Sequence, residues 1–419
     1  MQNKSKNLHE AKKNKNDEFY TQLSDIENEL KHYKEHFKDK VVLCNCDDPL
    51  ASNFFKYFFL NFKHLKLKEL ICTCYKSQNF REISQEDSPQ KAYAIRIYRD
   101  CNLSPNLEQI QKVLSLSLSC REKQSQKTLD NFEKNKHKLK NSLKILKSDA
   151  DKTSLFGVYE DEGLGNAGDF RSKDCIELLK HSDIVVTNPP FSLFREYVAL
   201  LMQHKKKFVI VAHQNAISYK EIFKYIKTNE IWLGYGFKGG AAHFINYHYE
   251  DYATANDHRE GMIRVSGVIW LTNLNHKKRT ELLETIHSYA KNPDKYPKYD
   301  NYDAINVNKT AEIPLDYDGV MGVPLTFLDK HNPQQFEIVA LGIVGSCEFS
   351  CEKKMEILDK NGNRTGKFTI NAKGTLYRKW DKRLDKKPPA FRNCETGELY
   401  QSIYARILIR PQSAKNKGK

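Results

Sequence analysis

The sequence predicts an α/β fold built on a mainly parallel, doubly wound sheet, with a helical insertion and a C-terminal accessory region. Three observations predict it. Val41-Val42-Leu43-Cys44-Asn45-Cys46 is an apolar run, followed by an aromatic-rich helical stretch from Ser52 to Phe62 and at once by a second apolar run, Glu69 to Tyr75. That order of strand, helix, strand is the signature of parallel pairing through a crossover helix. The same rhythm returns between Asp183 and Gly234. At 419 residues the chain also exceeds one ordinary compact core, so a second region is expected.

The first sixteen residues are polar and rich in Lys and Asn, with nothing to bury, and read as a basic flexible arm (1–16). After Asp17-Glu18-Phe19-Tyr20-Thr21 the spacing predicts an amphipathic helix from Ser24 to Phe37, with Ser24 and Glu27 as a capping box. Strand, turn and helix then follow from Val41 to Phe62, and a second strand from Glu69. Between Lys76 and about Phe156 the sheet pattern stops, and 106–147, rich in Lys, Gln, Asn and Leu at helical spacing, predicts an inserted helical excursion. The rhythm resumes with a helix from Lys173 to Lys180, the strand Asp183 to Thr187, a helix from Leu193 to Gln203 and the strand Phe208 to Ala212. A helix from Tyr219 to Lys227 and the strand Ile231 to Gly234 come next. Val265 to Leu274 is one more apolar run, expected to close the sheet in the antiparallel sense. After Lys291 the composition shifts to Tyr, Asn, Asp and Pro, which marks a separate region, 291–419.

The formal charge is +15, with Lys and Arg spread from end to end, which suits a polyanionic partner. No apolar run approaches the roughly 18 residues needed to cross a bilayer, and the N-terminus lacks a signal-peptide core. The expectation is a soluble, cytoplasmic protein with no membrane association. Its ten cysteines read as reduced thiols. Cys44-x-Cys46 and Cys72-x-Cys74 place thiols on one face of buried strands, where they serve as small apolar residues, and no metal site is expected.

Chemistry concentrates at Asn188-Pro189-Pro190-Phe191, at the carboxyl end of the strand beginning at Asp183. Ligands of open α/β sheets sit just beyond such strand ends. Two prolines fix φ and stiffen the turn. The Asn188 amide oxygen and the Pro189 carbonyl can accept both hydrogens of a planar amino group, while Phe191 offers a face for stacking. Two acceptors in that position push the nitrogen lone pair toward an electrophile, and no strong base is needed. The segment alone leaves the acceptor open among nucleic-acid amines and protein amides.

The segment resembles motif IV of amino-group nucleic-acid methyltransferases, in which Asn or Asp before Pro-Pro-Phe/Tyr goes with N6-adenine and Ser with N4-cytosine. More narrowly, five ordered blocks look like the EcoRI-type adenine-specific modification methyltransferases. They are Asp17 to Thr21, Cys44 to Pro49, Gly168-Asp169-Phe170-Arg171-Ser172, Asp183 to Phe194, and Lys298 to Thr310. The resemblance implies a Rossmann-like fold dependent on S-adenosylmethionine, with a catalytic domain at 17–290 carrying the Lys-rich insertion at about 76–156. It implies a DNA-recognition role for 291–419, and a monomer acting on double-stranded DNA. The adenine is flipped out of the duplex, GAATTC is the suggested target, and a restriction endonuclease is the functional counterpart. The same Asn-Pro-Pro-Phe site also serves RNA and protein-glutamine N-methyltransferases, which is the alternative.

Carried over by position, Asn188, Pro189, Pro190 and Phe191 are the catalytic set. Asp17, Phe19, Tyr20 and Thr21 match the motif bordering the methionine moiety of the cofactor, and Asp169 and Phe170 match the segment near its adenine. Where a Gly-rich loop is usual, this chain has Cys44-Asn45-Cys46-Asp47-Asp48-Pro49, so Asp47 or Asp48 is expected to hold the cofactor's methionine amino group through a charge-assisted bond, with Asn45 nearby in the cofactor site. The second strand ends in Cys74-Tyr75, without the acidic residue that commonly binds ribose. Gly234-Tyr235-Gly236-Phe237-Lys238-Gly239-Gly240 is expected to be a mobile loop that helps hold the displaced DNA strand.

Overall fold

The computed structural model describes residues 20–46, 52–73, 93–99, 153–157, 168–237, 240–245, 262–350 and 353–412. The expected arm at 1–16 and the helical stretch 106–147 lie outside them. Two compact units emerge: Met1–Ala216 with Leu233–Asn275, and Ile217–Trp232 with His276–Lys419.

The first unit opens with strand β1 (Tyr20–Thr21), helix α1 (Leu23–Leu30) and the short helix α2 (Lys34–Phe37). One helix was expected from Ser24 to Phe37. The chain instead breaks at 31–33, where Tyr33 turns wholly into the core and donates its hydroxyl to Glu29 at 2.8 Å. Ser24 lies inside α1, whose N-cap is Gln22 with no side-chain cap bond, so the capping box does not form.

Strand β2 (Val41–Cys44) leads to α3 (Asn53–Leu60), which starts where expected because the Ser52 hydroxyl accepts the Phe55 N–H at 3.0 Å. Strands β3 (Glu69–Thr73), β4 (Tyr93–Tyr98) and β5 (Thr153–Gly157) follow. Helix α4 (Lys173–His181) is capped by Ser172, and β6 (Ile184–Thr187) comes next. Then come α5 (Phe194–Gln203) and β7 (Lys207–His213), with α6 (Lys220–Lys227) belonging to the second unit. Strands β8 (Trp232–Leu233), β9 (Ala241–Ile245), β10 (Met262–Ser266) and β11 (Val268–Thr272) complete the series.

The main sheet has the order β5-β4-β3-β2-β6-β7-β11-β8. Its centre, β3-β2-β6-β7, is parallel throughout, with Leu43 opposite both Ile71 and Val185. Every residue of β2, β3 and β6 is buried, as strands covered on both faces must be. The flanks are antiparallel: β4 on β3, β5 on β4, and β11 on β7. The sheet is therefore mixed, and the expectation of a mainly parallel one describes its centre.

Antiparallel closure by β11 was expected and is found; β4 and β5 were not expected, and the run that carries β11 is divided. Strands β4 and β5 lie within the interval read as a helical excursion, where the short Tyr-Ala-Ile-Arg-Ile-Tyr strand signal is outweighed by the Lys- and Gln-rich sequence around it. The apolar run Val265 to Leu274 is also not one strand. Gly267, with φ +72°, splits it, sending β10 into a small sheet of order β1-β9-β10 and β11 back into the main one.

The second unit is largely antiparallel. One sheet, β12 (Ile305–Asn306), β13 (Met321–Pro324), β20 (Arg406–Pro411) and β14 (Phe336–Leu341), has that spatial order. The other runs β16 (Arg364–Thr369), β15 (Met355–Leu358), β18 (Phe391–Asn393), β19 (Leu399–Ile403) and β17 (Leu376–Lys379). No helix of the described residues is long and apolar enough to cross a membrane.

Candidate active site

The site grows from the carboxyl ends of β2 and β6, neighbours in the parallel centre of the sheet. Asp183 sets their register, since its carboxylate accepts the Val41 N–H at 2.8 Å and its own N–H reaches the Val41 carbonyl at 2.9 Å. At the other end the buried Thr187 hydroxyl donates to the Asn45 carbonyl. Asn188 follows directly. It is half-buried, with its Oδ1 shut off from solvent. Pro189 is buried and Pro190 half-buried. The Pro190 carbonyl accepts the Leu193 N–H at 3.1 Å, closing a single 3₁₀ turn, Phe191–Leu193, that launches α5. Phe191 packs one side against the main core and stays partly exposed.

Helix α5 ties this segment to the residues expected to hold a cofactor. Tyr197 is completely buried and donates its hydroxyl to Asn45 Oδ1. Its ring meets Phe170 edge to face at 5.0 Å between centroids. Burial holds the Tyr197 hydroxyl well above the usual phenol range, so it stays a donor. The neighbouring Glu196 takes Arg171 Nη1 at 2.9 Å, and Arg171 places its guanidinium 5.2 Å from the Phe170 ring. Asp169 receives three bonds from the same arginine: its Oδ1 accepts the Arg171 N–H at 2.8 Å and Nε at 2.9 Å, and its Oδ2 accepts Nη2 at 2.7 Å. Those bonds, above all, push the guanidinium pKa up.

Two of the assigned residues already have partners. Asn45, expected near the cofactor, accepts the Tyr197 hydroxyl with its amide oxygen and has Nδ2 as its donor toward a ligand. Asp169 was matched to the segment near the cofactor's adenine, and with three bonds from Arg171 about one of its four lone-pair positions remains. Phe170 is buried, 3% exposed, and forms a floor rather than an open face.

Thr21, on β1, is tied to the start of α3. Its carbonyl accepts Asn53 Nδ2 at 2.7 Å, which fixes the strand to the first turn of α3. Its own Oγ1 is buried and has no hydrogen-bond partner among the described residues. Tyr20 pairs with Ile245 and Thr21 with Phe244 in the small sheet. Asp17, Phe19, Asp47 and Asp48 lie outside the described residues. Cys46, just before the undescribed 47–51, has φ +61°. That is the left-handed region glycine occupies at least cost, at the place where methyltransferases usually carry their Gly-rich loop. Cys44 and Cys72 are in register on β2 and β3 and are fully buried core residues.

The expectation of a mobile Gly234–Gly240 loop needs correction over its first half. Glu29, 1% exposed on α1, accepts Tyr235 N–H at 2.8 Å and Gly236 N–H at 2.9 Å. Tyr235 stacks on His32, and Phe237 stacks on Trp270 with centroids 5.3 Å apart. A buried carboxylate and two ring stacks hold 234–237 in place, and residues 238–239 lie outside the described residues.

Tyr197, Thr187, Asn53, Glu29 and Arg171 were not singled out from sequence. A signal existed for Tyr197, since a tyrosine on the apolar face of a helix needs a partner for its hydroxyl. Arg171 bonds Asp169 only two residues earlier, but these bonds of Thr187, Asn53 and Glu29 span 142, 32 and 206 residues, with no local pattern to reveal them.

Comparison with known proteins places the chain in a family. The profile of a family described as adenine-specific methyltransferase EcoRI matches residues 7–412. The type II methyltransferase M.EcoRI of Escherichia coli is 44% identical over 360 residues, covering 82% of this chain and 94% of that protein. M.MgeORF184P of Mycoplasma genitalium, also a type II methyltransferase, is 37% identical over 78% of this chain and 84% of its own length. M.MpnI of Mycoplasma pneumoniae is 34% identical over 78% and 83%. No solved structure matches significantly.

Proposed function

The chain belongs to the EcoRI family of adenine-specific methyltransferases, and from that premise we propose that it methylates N6 of an adenine flipped out of duplex DNA, with S-adenosylmethionine as donor. At the coarser level it is a DNA methyltransferase, as its type II relatives are. The observation that carries the finer reading is Asn188-Pro189-Pro190-Phe191 at the carboxyl end of β6, held beside the end of β2 by Thr187 and Asn45.

In this reading the adenine amino group donates one hydrogen to Asn188 Oδ1 and the other to the Pro189 carbonyl. Both acceptors draw the nitrogen toward sp³ character and free its lone pair. Stacking on the exposed part of Phe191, worth about 1 to 3 kcal/mol, offsets part of the cost of extruding the base. S-adenosylmethionine, when bound, supplies an electrophilic methyl group. The residues present fit it. Thr21 Oγ1 is a buried polar atom without a partner among the described residues, in the motif assigned to the methionine end. Asn45 Nδ2 and the remaining acceptor position of Asp169 add two polar contacts, over an apolar floor at Phe170. Asp17, Phe19, Tyr20, Asp47 and Asp48 complete the proposed set by their positions in the motifs. The sheet is then the Rossmann-like sheet of such enzymes, with its antiparallel strands at the flanks.

The proposal extends to a monomer that reads its target, GAATTC, through 291–419 and protects that sequence from a partner endonuclease. The test is incubation of the protein with labelled S-adenosylmethionine and duplex DNA, followed by base-resolution mapping of N6-methyladenine. Asn188→Ala should lower kcat by at least on the order of 10²-fold while keeping DNA affinity. Methyl transfer to RNA or to a protein glutamine, with none to DNA, would replace the reading.

A further inference from the structure

In the second unit, the stretch from Asp359 to Lys387 consumes all of its acids internally. Asp359 closes the β15–β16 turn by accepting Asn361 N–H at 2.8 Å and Asn363 N–H at 2.9 Å. Asp381 pairs with Arg383 at 2.9 Å. Asp385 is forked by Arg378, with Nη2 at 2.6 Å and Nη1 at 3.0 Å, and both side chains are buried. Of the cations, Arg364 is paired with Glu356 and Lys379 with Glu398. Lys360, Lys367, Lys373, Lys382, Lys386 and Lys387 are all exposed, and none has an ion pair among the described residues.

The loop bearing three of these lysines is rigidly mounted. The buried Arg378–Asp385 fork spans it, Asp385 also accepts Asp381 N–H at 3.0 Å, and Trp380 Nε1 donates to the Lys387 carbonyl at 2.9 Å. The loop ends in Pro388-Pro389, which restrict the backbone further. The β15–β16 turn lies against it, since a Cβ on Gly362 would stand 3.3 Å from Pro388 Cβ and 3.7 Å from Pro389 Cδ. Two lysine-bearing loops therefore meet side by side on one sheet, with β16, exposed from Arg364 to Phe368, as its edge.

Holding uncompensated ammonium groups together on a fixed loop stores like-charge repulsion. A polyanion relieves that repulsion and releases its own counterions. We propose that the 380–388 loop and the β15–β16 turn form a phosphate-gripping surface that holds duplex DNA by its backbone, independently of base sequence. The inference rests on the chain being a DNA methyltransferase, and it gives part of 291–419 a positioning role rather than a base-reading one.

The test uses the full chain with Lys382→Gln, Lys386→Gln and Lys387→Gln combined, and binding by fluorescence anisotropy across a salt series. Two duplexes are compared, one containing GAATTC and one scrambled. Affinity should fall on the order of tenfold or more at 0.1 M salt, and the slope of log affinity against log salt should become shallower by about 0.9 for each contacting lysine lost. Both duplexes should be affected alike. The triple Lys→Arg variant should bind as wild type does, and affinity for S-adenosylmethionine should be kept in both variants, which checks folding. An unchanged salt slope overturns the proposal, and so does a loss confined to the GAATTC duplex. Wild-type protein that binds neither duplex removes the DNA reading and this surface together.

Discussion

A tyrosine on the buried face of a helix must find a partner for its hydroxyl or lose about 1 to 3 kcal/mol. Tyr197 finds Asn45, and in doing so fastens the helix that follows Asn188-Pro189-Pro190-Phe191 to the end of β2. Tyr197→Phe keeps the edge-to-face contact with Phe170 but leaves Asn45 Oδ1 without its donor. The expected result is a stability loss of about 1 to 3 kcal/mol in urea unfolding, and roughly tenfold weaker binding of S-adenosylmethionine by calorimetry. Stability loss with unchanged cofactor affinity would reduce Tyr197 to a packing residue. Cys46 belongs to the same scale. Its sequence position suggested only that a glycine was missing, whereas its φ of +61° puts Cys46 itself in the left-handed region that glycine adopts at least cost.

Among the elements, a circuit runs from α1 through the 234–237 loop to the small sheet that carries the segment proposed to border the cofactor. Glu29 on α1 holds the loop that leads into β9, and β9 pairs with β1, which carries Tyr20 and Thr21. Gly234 precedes the two residues whose N–H groups bind that carboxylate. A Cβ there would collide with Glu29 Oε1 and stand 2.9 Å from Trp270 Cβ. Gly234→Ala should therefore cost about 1 to 3 kcal/mol, read as a lower urea midpoint at constant slope. An unaltered midpoint would mean that the loop yields freely. From sequence the glycines of this loop announced a turn, but the buried acid that fixes it comes from a helix about 200 residues earlier.

Across the whole molecule, a formal charge of +15 suits a DNA partner, yet one buried histidine makes stability depend on pH in the acid range. His331 donates Nε2–H to the Phe336 carbonyl at 2.9 Å, and burial above all, with Arg279 adding to it, holds its pKa down at about 4, against an ordinary 6.5. Above pH 6.5 neither folded nor unfolded imidazole is charged, and the full stability is present. As pH falls from 6.5 toward 4, the unfolded chain takes up a proton that the folded chain refuses, so stability is lost, by on the order of 3 kcal/mol. Unfolding midpoints measured at intervals between pH 7 and pH 4 should show a steeper decline for wild type than for His331→Gln. Parallel declines would show that other groups govern the acid limb.

By itself, the sequence determined the strand-helix order of β2-α3-β3 and of β6-α5-β7, because apolar runs and helical spacing are local. It also determined the Asn188 to Phe191 segment, because two prolines and an asparagine at a strand end act through their own backbone. The tertiary structure alone decided the antiparallel β4 and β5, the placement of β10 and β11 in different sheets, and the bonds that engage Asn45 and Asp169. Each depends on a partner brought close by folding rather than by chain neighbourhood. A carboxylate or an amide reads the same in sequence whether it faces a ligand or is already satisfied. Only its neighbours in space set the two apart.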